Sequence, residues 1–378
     1  MADWLAELRH RAELRAQAGL TRRLRPRAAG DAVVDLAGND YLGLATHPEV
    51  TAAAGRALAA YGLGATGSRL VRGSTDAHHG LEAALADWLG VDAGLVFSSG
   101  YLANVGAVRA LVGPGTLLVS DAHNHASLID GCRISRAETV VVPHADPAAV
   151  AGALAAAPGR PAVVITESVF SVDGDLAPLA ELHAVARRHG ALLLVDDAHA
   201  LGVLGPAGAG GVAAAGLAGE PDVVVTATLS KALGGAGGVV AGPAEFVREL
   251  TETGRTFIFD TALPPAVAAG VRVALGLARA GDDLRAELAD RAGAAVRRLR
   301  AAGLTVAAPD AAVVSVTAPG PEAATAWAAA CAARGVAVGC FRPPSTPDRR
   351  SRLRLTLSAG VPRADFERAL DVIVACAP

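Results

Sequence analysis

Seven short apolar runs recur between Gly94 and Gly242: "GLVFSSG", "TLLVSD", "ETVVVPH", "AVVITES", "ALLLVDDAH", "DVVVTAT" and "GGVVAG", separated by Ala-rich stretches of helical character. The runs are continuous rather than alternating, so each strand must be buried on both faces. That demand is met by a mostly parallel sheet with helices packed on either side. The expected fold class is therefore α/β, and in such a sheet ligands gather at the carboxyl ends of the strands. Polar residues stand at those ends: Ser98 and Ser99, Asp121, Glu167 and Ser168, Asp196, Thr226 and Thr228. After "FIFDTALPPA" the pattern changes to a long Ala/Arg/Leu helical region, about residues 262–302, and then to the strand patterns "VVSVTA", "VAVGCF" and "SRLRLTLS". The expected organisation is an N-terminal helical arm over residues 1–45, a large α/β domain over 46–270 and a small C-terminal α+β domain over 271–378. The Gly/Ala-rich "GPAGAGGVAAAGLAGE" reads as a loop with a short helix, because strand patterns continue on both sides.

The chain has 378 residues, 52% hydrophobic and 19% charged, enough to bury a large core. A formal net charge of -3 provides no basic field for nucleic acid or an anionic membrane, so neither is expected as a partner. Charges interrupt the apolar positions of "MADWLAELRHRAELRAQAGL", which makes it neither signal peptide nor membrane anchor but an amphipathic helix. Trp4, Leu5, Leu8 and Leu14 form its stripe, and Arg22, Arg23, Arg25 and Arg27 follow as a cluster. Cys132, Cys331, Cys340 and Cys376 have no CxxC spacing, the pattern of reduced thiols in a cytoplasmic protein.

Of the 34 basic residues 33 are arginine; Lys231, in "TATLSKALGG", is the only lysine. An ammonium can lose its proton and act as an amine nucleophile, whereas a guanidinium cannot. In "LLLVDDAHALG" Asp196 ends a buried strand with His199 one turn later, and a carboxylate there needs a cation beside it. The next strand delivers Lys231 to the same sheet edge. An acid, an imidazole and a unique amine suit pyridoxal 5'-phosphate (PLP), which offers an aldehyde, a ring nitrogen to keep protonated and a phosphate. The strand-to-helix turn "SSGYLAN" supplies backbone donors for the phosphate. In "SDAHNHASLIDG", Asp121, His123 and His125 are spaced like metal ligands. No Cys or Glu lies at a matching offset, so no metal is expected, and His125 is the preferred residue to stack on a planar ring.

Together these motifs resemble the α-oxoamine synthases of the PLP-dependent, aspartate-aminotransferase-like (fold type I) superfamily. The resemblance runs through "LAGNDYLGLATHP", "GATGSRLVRGSTDAHHGLE", "FSSGYLANVGAV", "NHASL", "TESVFSVDGDLAPL", "LLVDDAHALGVLG", "TLSKALG", "FIFDTALPP" and "CFRPPSTP" with "SRLRLTLS". It implies an acyltransferase that condenses L-alanine with a pimeloyl thioester, on CoA or an acyl carrier protein, with loss of carbon dioxide, in biotin biosynthesis. It implies Lys231 as the Schiff-base lysine and proton-transfer base, Asp196 paired with the pyridinium nitrogen, His125 on the ring and His199 on its phenolic oxygen. Gly100, Tyr101, Ser171 and Thr228 belong to the cofactor site on the same footing, with Thr261 reaching the phosphate from the other subunit of a homodimer. Asn39 and Arg354 are implied at the amino-acid carboxylate and reacting centre, Arg342 and Ser345 near the acyl group, and Arg22 or Arg23 near the thioester or its carboxylated tail. For Lys231 to act as a base near neutrality, its unperturbed pKa of about 10.4 must fall. Asp260, where the pattern favours Ser or Thr, is an odd neighbour for a phosphate and is expected to point away.

A sister reaction, joining glycine to acetyl-CoA, would need the same core residues. A Rossmann-type nucleotide site is disfavoured because "GGAGG" follows Lys231 and precedes a strand instead of opening a helix. A noncatalytic scaffold would leave Asp196, His199 and Lys231 without a joint explanation.

Overall fold

The computed structural model describes residues 3–307, 309–346 and 348–378. Eleven strands are present among them: β1 (Val34–Leu36), β2 (Ala93–Phe97), β3 (Leu117–Asp121), β4 (Glu138–Val142), β5 (Ala162–Glu167), β6 (Leu192–Asp196), β7 (Val223–Thr228), β8 (Gly238–Gly242), β9 (Val313–Thr317), β10 (Val336–Phe341) and β11 (Arg352–Thr356). The strands β2 to β8 form one sheet in the order β2-β8-β7-β6-β5-β3-β4. Every neighbouring pair is parallel except the two that involve β8. All seven runs noted in the sequence are these strands, and β3, β5, β7 and β8 are buried along their whole length. The helices Gly100–Ala110, Ala126–Ser135 and Leu179–Arg188 pack against the sheet.

The second sheet, β1-β10-β11-β9, gathers the C-terminal strands with one from the N-terminal arm, since β1 pairs in parallel with β10 (Val34 opposite Val336). The long helical region divides at Gly281 into Pro265–Ala280 and Asp282–Ala301. The expected N-terminal helix spans Trp4–Gln17, capped by Asp3, but none of it is buried; its stripe of Trp4, Leu5, Leu8 and Leu14 stays exposed on the protomer.

Two glycine placements shape the sheet edge that matters. Gly234 has φ of +63° and packs on the backbone of Ala45, where a Cβ would meet the Ala45 nitrogen at 2.3 Å; its N–H closes the Lys231 turn by donating to the Lys231 carbonyl at 2.8 Å. Gly238 of β8 lies so close to Gly100 that a Cβ would come within 2.6 Å of the Gly100 Cα. Only glycine lets the start of the helix Gly100–Ala110 settle onto the sheet there.

Candidate active site

The carboxyl ends of β5, β6 and β7 bring Glu167, Asp196 and Thr228 to one edge, with Glu167 opposite Asp196 and Asp196 opposite Thr226 in the ladders. Together with Gly100, Tyr101, Asn104, His125, His199 and Lys231 they line a cavity of about 270 Å³.

Burying a leucine contributes roughly 1.5–3 kcal/mol, whereas an unpaired buried carboxylate costs several. Asp196 is 5% exposed and avoids that cost through donors. Its Oδ2 accepts from Asn104 Nδ2 at 2.7 Å and its Oδ1 from the Ala198 N–H at 3.0 Å. Asn104 is fixed in turn: Nδ2 also donates to Ser127 Oγ at 2.8 Å, and its Oδ1 accepts from Thr226 Oγ1. Burial in the cavity wall pulls the Lys231 amine down to about 8, against the charge of Asp196, the largest influence that raises it. Arg354 adds to the lowering.

His199 is buried, and burial followed by the charges of Lys231 and Arg354 holds its imidazole well below the usual range. Its Nδ1 lies 2.5 Å from the hydroxyl of the fully buried Tyr41. Burial raises the Tyr41 phenol, which keeps its proton. With no other acceptor for that hydroxyl among the described residues, Tyr41 donates to Nδ1 and the neutral ring carries its proton on Nε2. His125 caps the helix Ala126–Ser135 and is exposed at the cavity mouth, its imidazole lowered by desolvation. Ser99 caps the helix Gly100–Ala110 through the Leu102 N–H, which leaves the N–H groups of Gly100 and Tyr101, among the described residues, without a protein acceptor.

The other expected residues fall into two groups. Arg354 is buried, donating to the Ser171 carbonyl and to Asn39 Oδ1, each at 2.8 Å, while its Nε has no partner. Its guanidinium lies 4.5 Å over the ring of Phe341. Around Phe341 a second cavity of about 280 Å³ opens, lined also by Leu20, Arg22, Arg23, Cys340, Arg342 and Ser345. Arg22 donates to Ser345 Oγ at 3.0 Å and Arg342 to the Gly19 and Thr21 carbonyls, which ties the N-terminal arm to β10. Thr261 is exposed and lines neither cavity.

Asp121, His123 and His125 do not act together. His123 stacks on His144 at 3.9 Å, and Asp121 accepts from the backbone of His123 and Ala145, each at 2.7 Å, and lies 3.0 Å from His144 Nδ1. Only His125 belongs to the cavity. Asp260, expected to point away from a phosphate, accepts a hydrogen bond from Ser98 Oγ, beside the helix start, and lines neither cavity. In the sequence Tyr41 stands out by nothing, Glu167 only as a polar strand end, and Asn104 only by lying one helical turn past Gly100.

A family model described as aminotransferase class I and II matches residues 31–373. The chain is 53% identical to an 8-amino-7-oxononanoate synthase from Mycobacterium sp. (strain JLS), over 98% of this chain and 95% of that one. Among solved structures, a serine palmitoyltransferase from S. paucimobilis with a bound PLP–myriocin aldimine superposes with TM-score 0.93 at 31% identity, covering 99% of this chain and 98% of the other. An 8-amino-7-oxononanoate synthase from Francisella tularensis gives 0.77 at 26% identity, covering 91% and 98%.

Proposed function

The chain belongs to the aminotransferase class I and II family, and from that premise we propose that it carries out the 8-amino-7-oxononanoate synthase reaction of biotin biosynthesis. L-Alanine and a pimeloyl thioester, on CoA or an acyl carrier protein, condense with loss of carbon dioxide. The observation that carries the reading is the convergence of the only lysine with Asp196, His125 and His199 on one cavity.

The residues fit PLP. The cavity has room for a planar ring, the free N–H groups of Gly100 and Tyr101 at a helix start suit an anion, and a Cβ at Gly100 would press on Thr228 at 3.0 Å, filling that cradle. PLP supplies an aldehyde that captures amines and a cationic ring that acidifies the α-proton of a captured amino acid. Lys231 provides the amine, takes the α-proton, and returns a proton to the same carbon after carbon dioxide has left. Asp196, held by Asn104 and Ala198, presents its carboxylate to the ring nitrogen. With PLP bound, His125 would cover the ring and neutral His199 would offer its Nε2 proton to the phenolic oxygen, with Ser171 bordering the site. Arg354, steadied by Asn39 and Ser171, is the residue that would meet the alanine carboxylate.

The second cavity suits the acyl chain: Leu20 and Phe341 are apolar walls, and Arg22, Arg23 and Arg342 with Ser345 offer donors to a carboxylated tail. The working unit is a homodimer in which Thr261 of one subunit serves the phosphate of the other. No helix among the described residues is long and apolar enough to cross a membrane, and the four cysteines are free, in keeping with a cytoplasmic enzyme. Purified protein incubated with alanine and pimeloyl-CoA should yield the amino-ketone by mass analysis. Product from glycine and acetyl-CoA in place of alanine and pimeloyl-CoA would overturn the assignment in favour of the sister reaction.

A further inference from the structure

Two carboxyl groups stand side by side in the cavity wall, yet the protein treats them differently. Glu167 ends β5 directly opposite Asp196 at the end of β6. Parallel neighbours are about 4.8 Å apart, so paired positions place their side chains together on one face. Asp196 has a side-chain donor and a backbone donor, whereas Glu167, only 2% exposed, has an Oε1 with no hydrogen-bond partner. The other buried glutamate, Glu82, shows what the fold does when it wants an anion: it is clamped by Arg69 through both oxygens.

We propose that Glu167 is a positioning residue of the reaction, a protonated carboxyl that leaves Asp196 as the single anion beside the cofactor and offers its own proton as a hydrogen-bond donor in the cavity. Two adjacent buried carboxyls cannot both ionise, and the proton settles on the one with an oxygen left without a partner, Glu167. Burial first, then the charge of Asp196, raises Glu167 well above the usual carboxylate range, against Lys231 and the N–H groups of His125 and Ser171. The charged or titratable groups that share the cavity with it are Asp196, Lys231, His125, His199 and Tyr101. As Lys231 gives up its charge above about pH 8, the main opposing influence fades and Glu167 holds its proton more firmly.

The inference rests on the PLP reading of this cavity, and infrared and visible spectra of the loaded enzyme test it without turnover. At pH 8 the wild type should show a carboxylic-acid C=O stretch that shifts when its glutamates carry ¹³C carboxyls and that is missing from Glu167→Gln. The pH midpoint of the visible cofactor band should stay within about 0.3 unit in E167Q, because one neutral group replaces another. Absence of the isotope-sensitive band from the wild type overturns the proposal, as does a midpoint in E167Q lower by about one unit or more, the mark of a lost anion. The isotope experiment needs no substitution and stands if E167Q fails to fold. A loaded wild type without any visible cofactor band would instead overturn the reading of the cavity itself, and that result is read from the visible spectrum alone.

Discussion

An amine can do at position 231 what the 33 arginines cannot, provided it is neutral when needed. Cavity burial brings Lys231 to about 8, so the reactive fraction of the apoenzyme grows about tenfold per pH unit below that value and levels off above it. The rate at which the apoenzyme takes up PLP, followed by absorbance, should therefore climb from pH 6 to 8 and plateau beyond; a flat profile would contradict the assignment. Lys231→Arg should show no such uptake signal, with turnover reduced by at least about a hundredfold. A second residue-scale expectation concerns Asn104, which touches Asp196, Ser127 and Thr226 at once. Asn104→Ala removes a hydrogen bond to a charged group and strands the others, a loss of about 1.5–3 kcal/mol in urea unfolding. The same variant should bind PLP more weakly in equilibrium titration, since Asp196 loses its side-chain anchor.

At the scale of elements, three segments are tied by one imidazole. Burial lowers His144, but hydrogen bonds to Asp121 at the end of β3 and to Asp175 after β5, 3.0 and 2.8 Å long, more than reverse this and bring it to about 9. The segment that carries Asp175 also carries Ser171, whose carbonyl holds Arg354, and Asp173, which pairs with Arg352. Because the folded value lies above the unfolded one near 6.5, the charged clamp contributes fully below about pH 6.5 and is lost as pH rises through about 9. Its upper bound is about 3 kcal/mol. Chemical unfolding at pH 6.5 and 9.5 should show a larger drop for the wild type than for His144→Gln, and H144Q should raise KM for the amino acid more than it lowers kcat. This clamp was not legible in the sequence, where Asp121, His144 and Asp175 are remote and nothing pairs His123 with His144. The strands β2 to β8 were legible as uninterrupted apolar runs, which burial on both faces explains for β3, β5, β7 and β8; the edge strand β4 departs from it, with Val141 exposed. The strand β1 was not: it has three residues, and its partner β10 lies some 300 residues away. Lys231, Asp196 and His199 stood out by rarity and strand-end placement, while Asn104 and Tyr41 are ordinary until the fold points them at those residues.

On the whole molecule, the apolar surface is uneven. Leu63, Leu70, Val71 and Phe259 are largely exposed, and the segments that carry them are joined where the Ala262 N–H donates to the Gly67 carbonyl at 3.0 Å. Such a cluster on a protomer marks a contact surface, and Thr261 lies within it, outside the cavity of its own chain. In a two-fold dimer each patch meets its own copy, so Thr261 of each subunit can reach the other subunit's site. Mixing two defective variants decides between action within and across subunits. Lys231→Ala lacks the amine but keeps a sound Thr261; Thr261→Glu keeps the amine but sets a negative charge against the phosphate. If Thr261 acts across the interface, a mixed dimer has one site with both groups intact and one with neither. Random reassortment makes about half the dimers mixed, so about a quarter of wild-type activity should return, from two parents that are each nearly inactive. If Thr261 acted within its own chain, every site in the mixture would lack one group or the other, and reassortment would restore nothing.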